Sequence, residues 1–472
     1  MASLAEKIYF RSPVFIQNVL VSLYGLKLYR ERYSKNADAY LKQLLESEKY
    51  SKEEMDKLQE RRFLEIAQIA IETVPHYRDW ARENGLGVED FKSLADLQKF
   101  PILSKETVRE NPERFVSELA DKKSLIKLHT SGTTGSPMTV YCDADSRTHH
   151  YAFFSRLRHW FGLKARSRRA TLFGRIIMLP DNNKPPFWRY DIAQNNLLMS
   201  SYHLKKENLR SYYDKLISFR PDEIISYPSS IYQIALYVNE NNLPKLKPKV
   251  VFTTAETLLS YQREVIEAAI DAPVIDQYGC TEMAFFASQC EQGTMHFHPE
   301  HGIVEVVDET TGDGGYGTNS LITTGLINKY MPLIRYSVGD RVSPLDYRSL
   351  CKCNRRFFSI EAVEGRVDDI LYRKDGTPVG RLDPVFKGGL GIEGAKIYQN
   401  PSGNVDIYIK QKSSGFDKAS ERWLISELKK RLGDDVDISI KIDNEMFSNK
   451  SNKFKPVTSD FKPSKNPEIR NE

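Results

Sequence analysis

Residues 249–279, KVVFTTAETLLSYQREVIEAAIDAPVIDQYG, contain the pattern that decides the fold. The apolar run KVVFTTAE is followed by a helical pattern, SYQREVIEAAI, and then by a second apolar run, APVIDQYG. A strand, a helix and another strand in this order are typical of a parallel α/β sheet. Ligands of such sheets bind at the carboxyl ends of the strands. The segment QYGCTE, 277–282, follows the second strand and is therefore a candidate site.

Strand patterns recur on both sides of this unit. SLIKLHT, 124–130, is a predicted strand, and residues 302–343 contain short strands and glycine-rich turns that predict a β-rich subdomain. Between AKIYQ at 395–399 and VDISIKI at 436–442 the pattern is β-β-α-β. We predict an α/β fold with a large N-terminal domain and a small, mobile α+β C-terminal domain.

The first hundred residues are rich in predicted helix. Ser51 and Glu54 form a capping-box pattern before a long amphipathic run, and Pro75 ends that helix. The predicted organisation is 1–100, the helical part of the large domain, 101–367, its core with the β-rich subdomain, and 368–472, the small domain.

Composition excludes several classes of protein. The chain of 472 residues has 40% apolar residues and a net charge of +5, with no basic block interleaved with aromatic residues. This argues against a disordered chain and against nucleic acid as a partner. Five cysteines, an odd number in a long chain, predict a reducing compartment and a cytoplasmic location.

The most apolar stretch is residues 14–28, VFIQNVLVSLYGLKL. Polar residues interrupt it, and it is shorter than the ~18 apolar residues that a membrane span needs. It predicts an amphipathic helix from Pro13 to Gly25 or slightly beyond. Packing on the protein itself and peripheral docking on a membrane surface are both compatible with this pattern.

A loop rich in glycine and hydroxyl residues, HTSGTTGSP at 129–137, follows the strand SLIKLHT. Glycines allow backbone N–H groups to surround an anion closely, and the hydroxyls add hydrogen-bond donors. The loop suits a triphosphate, although it is not a Walker loop, since GxxxxGK[ST] is absent. Taken alone, such a turn is also compatible with a surface loop.

Four further motifs follow the loop in order: YGCTE at 278–282, RYSVGD at 335–340, GRVDD at 365–369 and SNKFKPV at 451–457. Together with the loop, this set resembles the adenylate-forming superfamily of acyl-CoA synthetases, peptide-synthetase adenylation domains and luciferases. The resemblance implies ATP and Mg²⁺ as ligands.

The flanking segments narrow the resemblance. LADLQKFPILSKETVREN at 94–111 and ISYPSSIYQIA at 225–235 are similar to the phenylacetate–CoA ligase family. RKDGTPVGRLDPVF at 373–386 resembles the capsule-biosynthesis, CapK-like branch of that family more than the CoA ligases.

The resemblance implies a role for each matching residue. The β- and γ-phosphates of ATP would contact the loop residues Thr130, Ser131, Gly132, Thr133, Thr134 and Gly135. Tyr278, with Gly279, would lie against the adenine. Thr281 would contact the α-phosphate, and Glu282 would hold Mg²⁺.

The remaining motifs imply the ribose site, the hinge between the two domains and the bridging lysine. Asp340 would accept hydrogen bonds from the ribose hydroxyls, and Arg366 would support the same side. Asp368 would be the hinge between the two domains. Lys453 would bridge the substrate carboxylate and the α-phosphate.

The sequence departs from the family pattern at a few positions. Ser136 replaces the usual loop lysine, Val338 replaces a common threonine, and Asn452 replaces the glycine before Lys453. The segment RLDPVF, 381–386, departs from the CoA ligases and leaves the acceptor open between CoA and an amine.

A second constellation contains cysteine and histidine. Cys290 and His296 are separated by five residues, and Cys351 and Cys353 form a CxC further along the chain. Three thiolates and an imidazole make a Cys₃His set that fits a closed, structural zinc site. His298 is the alternative imidazole, and free thiols are the alternative to a metal.

The substrate acid is not named by any motif. Trp160, Trp188, Arg175, Arg189 and the turn at 227–230 lie between the loop and the adenine motif. An arginine there would suit a second acidic group on the substrate, but packing is the favoured interpretation for each residue singly.

The resemblance therefore implies a two-step enzyme. A carboxylic acid reacts with ATP to give an acyl-adenylate and pyrophosphate, and an amine or thiol then takes the acyl group, in cell-surface polysaccharide modification. The alternatives are an aryl-CoA ligase of the phenylacetate type and a non-catalytic ATP-binding protein.

Lys453→Ala tests the implied mechanism. Because a lysine on a separate domain would stabilise charge between the carboxylate and the α-phosphate, we expect adenylation to slow by on the order of 10²–10³-fold. Transfer from a chemically supplied acyl-adenylate should change little. Rapid-quench measurement of both half-reactions checks this, and adenylation at the wild-type rate would shift the role to Lys450 or Lys455.

Overall fold

The computed structural model describes residues 4–130, 138–179, 182, 184–256, 258, 260–307, 320–345, 351–363, 371–375, 378–379, 385, 392–411, 415–443 and 457–461. The chain divides into two compact units. The first contains Met1–His129 and Thr139–Gly365, and the second contains Thr130–Met138 and Arg366–Glu472. The domain boundaries drawn from the sequence remain a prediction.

The helices of the first unit precede and surround its strands. They are α1 Leu4–Arg11, α2 Val14–Arg32, α3 Ala37–Ser47, α4 Lys52–Thr73, α5 Pro75–Glu83, α6 Lys105–Glu110, α7 Ala144–Trp160, α8 Leu209–Phe219, α9 Pro228–Glu240 and α10 Ser260–Ala269.

The strands of the first unit begin with a separate hairpin of two. They are β1 Ile126–His129, β2 Thr139–Cys142, β3 Arg169–Phe173, β4 Trp188–Asp191, β5 Asn196–Ser200, β6 Glu223–Ser226, β7 Val250–Thr254, β8 Val274–Gly279, β9 Phe286–Gln289, β10 Met295–Phe297, β11 Gly302–Val307, β12 Ser320–Gly325, β13 Tyr336–Pro344 and β14 Ser359–Val363.

Within the described residues, β3 to β14 form one twelve-stranded sheet in the order β11-β12-β13-β14-β10-β9-β8-β7-β6-β3-β5-β4. Neighbours from β5 to β8 are parallel, with α10 between β7 and β8, as the sequence predicts. The segment predicted as a β-rich subdomain instead continues the same sheet as antiparallel strands. The mixed α/β class is confirmed.

The helical start follows its predicted signals. Ser51 caps α4 by accepting a hydrogen bond from the N–H of Glu54 at 3.2 Å, and the Glu54 carboxylate accepts one from the N–H of Ser51 at 2.8 Å. α4 ends before Pro75, which begins α5. This confirms the capping box and the break.

Helix α2 runs through Gly25 to Arg32, beyond the predicted end. Gly25 is buried, and a Cβ there would overlap the carboxylate of Asp191 on β4. The glycine therefore permits close approach of helix and strand rather than ending the helix. Among the described helices, none is both long and apolar enough to cross a bilayer.

A fully buried ion pair joins the helices to the sheet. Arg156 of α7 donates to both carboxylate oxygens of Glu300, at 2.6 and 3.0 Å, and to the carbonyl of Leu44 in α3. Ser47 and Arg62 hold Glu300 from α3 and α4. Burial alone would raise the pKa of Glu300, but Arg156 and the hydroxyl of Ser47 hold it below its ordinary value.

The second unit contains the predicted β-β-α-β pattern. Its elements are β15 Leu371–Tyr372, β16 Pro378–Val379, β17 Ile392–Gln399, β18 Val405–Gln411, α11 Lys418–Leu432, β19 Ile438–Ile442 and β20 Val457–Ser459. The sheet order is β19-β18-β17-β20, and Leu424, Leu428 and Leu432 of α11 are in its core.

Candidate active site and metal cluster

Two of the predicted nucleotide residues meet directly. Tyr278, near the end of β8, donates its hydroxyl hydrogen to Oδ2 of Asp340 at 2.5 Å. Asp340 lies on β13 and is only 2% exposed. A buried carboxylate beside an aromatic ring at the carboxyl end of a parallel strand has the chemistry to bind a vicinal diol and an adjacent flat base.

Glu282 follows the same strand and is held as a carboxylate. Its Oε1 accepts a hydrogen bond from the hydroxyl of Tyr336 at 2.9 Å and lies 3.2 Å from Nζ of Lys105. Burial would raise the pKa of Glu282, but Lys105 and Tyr336 outweigh it and the pKa lies below its ordinary value. A buried, ionised carboxylate with one oxygen directed elsewhere can ligate a divalent cation.

Lys105 was missed by sequence reasoning. It is the first residue of α6, after the cap Ser104, which accepts a hydrogen bond from the N–H of Thr107. The N–H of Leu103 donates to Arg335, and the carbonyl of Leu103 accepts from Ser337, so that this segment is fixed along β13. A cation at a helix N-terminus is unfavourable unless it has an anionic partner, and this was the available signal.

Arg335 fixes the start of β13. Its φ of 48° is left-handed, a conformation that costs roughly 1–2 kcal/mol for a non-glycine residue. The guanidinium contacts the carboxylate of Glu305 at 3.0 and 3.1 Å and the carbonyl of Phe100 at 2.9 Å. These contacts offset the strain and position the strand that carries Tyr336 and Asp340.

The other predicted residues fall into two groups. Thr281 and Gly279 are exposed at the end of β8. Thr130 is buried and makes two hydrogen bonds with Met138. Its N–H donates to the carbonyl of Met138, and its Oγ1 accepts from the N–H of Met138. The remaining ones lie outside the described residues: Ser131, Gly132, Thr133, Thr134, Gly135, Arg366, Asp368 and Lys453.

The predicted metal ligands come together. One ligand atom from each of Cys290, His296, Cys351 and Cys353 lies within 4.8 Å of every other. The sulfurs of Cys290 and Cys351 are 3.6 Å apart, and Nε2 of His296 is 3.4 Å from the sulfur of Cys353. A tetrahedral zinc with bonds of ~2.3 Å to sulfur requires a sulfur separation of about 3.8 Å, so the cluster fits this ion.

Surrounding groups orient these ligands. Ser359 bonds Nδ1 of His296 at 2.8 Å, which leaves Nε2 toward the sulfurs. The N–H groups of Gln292 and Cys353 point at the sulfurs of Cys290 and Cys351. Such partners are typical of a structural metal site.

The thiols of this cluster influence one another. The hydrogen bond from Cys290, assisted by His296, lowers the pKa of Cys353 to about 3. The same hydrogen bond raises the pKa of Cys290. The thiolate is the form of cysteine that binds a metal.

His298, the alternative ligand, points elsewhere. Its Nδ1 lies 2.6 Å from Arg156 and its Nε2 2.9 Å from the hydroxyl of Ser288. Two residues considered for the acid pocket are likewise engaged in packing. Arg189 donates to Gln17 of α2, and the indole of Trp160 donates to Glu48.

The chain is similar in sequence to known proteins. The chain is 27% identical over 450 residues to Protein CapK of Staphylococcus aureus, covering 93% of this chain and 96% of that protein. It is 29% identical over 355 residues to phenylacetate-coenzyme A ligase of Aromatoleum evansii, covering 69% and 73%. No protein-family model matches the chain.

Solved structures share the fold. A 2-hydroxyisobutyryl-CoA ligase in complex with 2-HIB-AMP and CoA has a TM-score of 0.56 at 19% identity, covering 88% of this chain and 91% of that one. The same ligase in the postadenylation state with R3-HIB-AMP has a TM-score of 0.54 at 17% identity, covering 87% and 91%. The comparisons confirm the family resemblance predicted from the motifs and the fold class.

The metal cluster yields a direct prediction. We expect as-purified protein to contain about one zinc per chain and to melt at a lower temperature after strong chelation, since the metal binds only the folded state. Cys351→Ser should lower zinc content and melting temperature in the same way. Elemental analysis and thermal denaturation measure both.

Lys352→Ala provides the matched control, because Lys352 is exposed between the two cysteines. This variant should keep its zinc and its melting temperature. Zinc-free protein from zinc-replete medium would contradict the site.

Proposed function

Since the chain is similar over nearly its whole length to the CapK-like branch of the phenylacetate–coenzyme A ligase family, we propose that it is an adenylate-forming enzyme. It activates a carboxylic acid with ATP, releases pyrophosphate and transfers the acyl group to an acceptor. The observation that carries this proposal is the pair of contacts from β13, Tyr336 to Glu282 and Asp340 to Tyr278.

Glu282 is the residue we assign to magnesium. Its contacts with Tyr336 and Lys105 are made through Oε1, and Oε2 is the oxygen that would ligate the ion. Bound magnesium would neutralise phosphate charge. Lys105 keeps Glu282 ionised and adds positive charge beside the phosphates, so that it is a positioning residue in this proposal.

Asp340 and Tyr278 are assigned to the nucleoside. The carboxylate of Asp340, which is buried and lies against the hydroxyl of Tyr278, would accept hydrogen bonds from the ribose hydroxyls. The ring of Tyr278, anchored by its hydroxyl, would cover one face of the adenine. Thr281, exposed beside Glu282, would contact the α-phosphate.

The phosphate loop, the hinge and the catalytic lysine complete the proposed machinery. Thr130 to Gly135 would hold the β- and γ-phosphates, and Arg366 would support the ribose. Rotation of the small domain at Asp368 would remove Lys453 after adenylation and admit the acceptor, so that one site performs two half-reactions.

The acceptor is proposed as a thiol or an amine. Phenylacetate-coenzyme A ligases among the relatives favour the thiol of CoA. The segment RLDPVF departs from the CoA ligases, and the alternative we propose is an amine, in cell-surface polysaccharide modification. Zinc in the Cys290, His296, Cys351 and Cys353 cluster would be structural in either case, since all four positions are protein ligands.

A pyrophosphate-release screen tests this function. The protein with ATP and Mg²⁺ is offered aryl, alkyl, amino and uronic acids, alone and with CoA or amines added. We expect pyrophosphate release with at least one acid class, and consumption of the adenylate only with the true acceptor. ATP binding without release for every acid would favour a non-catalytic protein.

The contact between Lys105 and Glu282 predicts how pyrophosphate release depends on pH. Without the charge of Lys105, burial raises the pKa of Glu282. As the pH falls, the carboxylate of the variant is therefore protonated at a higher pH than in the wild type. We expect Lys105→Met to move the acidic limb of pyrophosphate release upward by roughly one to three pH units, and Lys105→Arg to keep it near wild type.

Lys42→Ala is the control, since Lys42 is exposed and pairs with Glu46 on the surface of α3. It should leave the pH profile unchanged. A uniform loss of rate in Lys105→Met, with no displaced limb, would show that Lys105 acts on folding rather than on Glu282.

A further inference from the structure

Helix α2 attaches to the protein through polar side chains. Asn18 accepts a hydrogen bond from the N–H of Tyr190 at 3.0 Å, and Ser22 accepts one from the N–H of Ile192 at 3.0 Å. Gln17 accepts from the guanidinium of Arg189. These groups belong to β4 and its end, at one edge of the twelve-stranded sheet.

The outward face of the same helix is apolar. Phe15, Val19 and Leu23, spaced four residues apart, are 69%, 52% and 60% exposed. Further exposed apolar side chains of α1 and α2 are Ile8, Ile16, Tyr24 and Leu26. We call these seven residues the α1–α2 stripe.

The stripe continues onto neighbouring segments. Ile192, whose N–H donates to Ser22 of α2, is exposed. Ile176 and Leu179 are exposed as well, and the carbonyl of Ile177 between them accepts a hydrogen bond from Tyr9 of α1. A concentration of exposed apolar side chains on neighbouring segments is typical of an interaction site.

Basic residues flank the stripe. Residues 4–32 contain five basic and two acidic side chains, and Lys7, Arg11, Lys27 and Arg30 are exposed. Arg166, also exposed, donates to the carbonyl of Ile192. Apolar side chains bordered by Lys and Arg match the acyl–headgroup boundary of an anionic bilayer.

We propose that the α1–α2 stripe docks on the surface of an anionic lipid bilayer. α2, with 19 residues, would lie about 28 Å along the membrane plane. A two-fold dimer through this stripe is disfavoured, because it would bring the same basic residues of two copies together. The proposal does not depend on the adenylating function.

Vesicle sedimentation tests it with the full-length protein. We expect binding to vesicles of equal parts phosphatidylcholine and phosphatidylglycerol, weakened by salt, and little binding to pure phosphatidylcholine. Combined Phe15→Ser, Val19→Ser and Leu23→Ser should weaken partitioning by roughly tenfold or more, since three apolar anchors are lost.

A matched triple variant is the control. Ile217→Ser, Trp423→Ser and Ile442→Ser replace exposed apolar residues outside the stripe and should bind as wild type does. Protein that stays in the supernatant at every composition, or that binds neutral vesicles equally well, would overturn the proposal. So would a wild-type dimer in light scattering that the first triple variant converts to monomer.

Discussion

The buried ion pair between Arg156 and Glu300 is the interaction on which the first unit depends. Both side chains are fully buried, and removing one partner of such a pair typically costs about 3–5 kcal/mol because the other charge is left unpaired. Ser47 of α3 donates to the same carboxylate, and Arg62 of α4 donates to the backbone carbonyl of Glu300. Glu300 also follows β10, the strand that contains His296, so that the pair fixes the metal cluster together with the helices.

Strand β13 has the corresponding role for the candidate active site. Tyr336 and Asp340, four residues apart on this strand, contact Glu282 and Tyr278, which belong to one short motif that begins in β8 and ends just after it. The segment leading into Lys105 is bonded along the start of the same strand. The distance between the proposed metal and ribose positions is therefore set by a single strand, which is how precise sites are usually built.

The sequence predicted the local parts of this arrangement and missed the non-local ones. Tyr278, Glu282 and Asp340 stand in motifs, and the Cys₃His set could be recognised from ligand types despite its tight CxC spacing. Lys105 stands in no chemical motif, and its role depends on pairing with β13. The continuous sheet was missed because hydrophobic patterning identifies strands but not their partners. The hinge and Lys453 stay predictions.

The position of α2 at the edge of the sheet affects the tendency of the folded chain to aggregate. β4 would otherwise present the unpaired N–H groups of Tyr190 and Ile192, which could template pairing with a strand of another molecule. Asn18 and Ser22 accept hydrogen bonds from those N–H groups, so the helix also protects the sheet edge from pairing with another molecule. A chain without its first thirty residues would be prone to self-assembly at this edge, even if every residue of the candidate active site were still present.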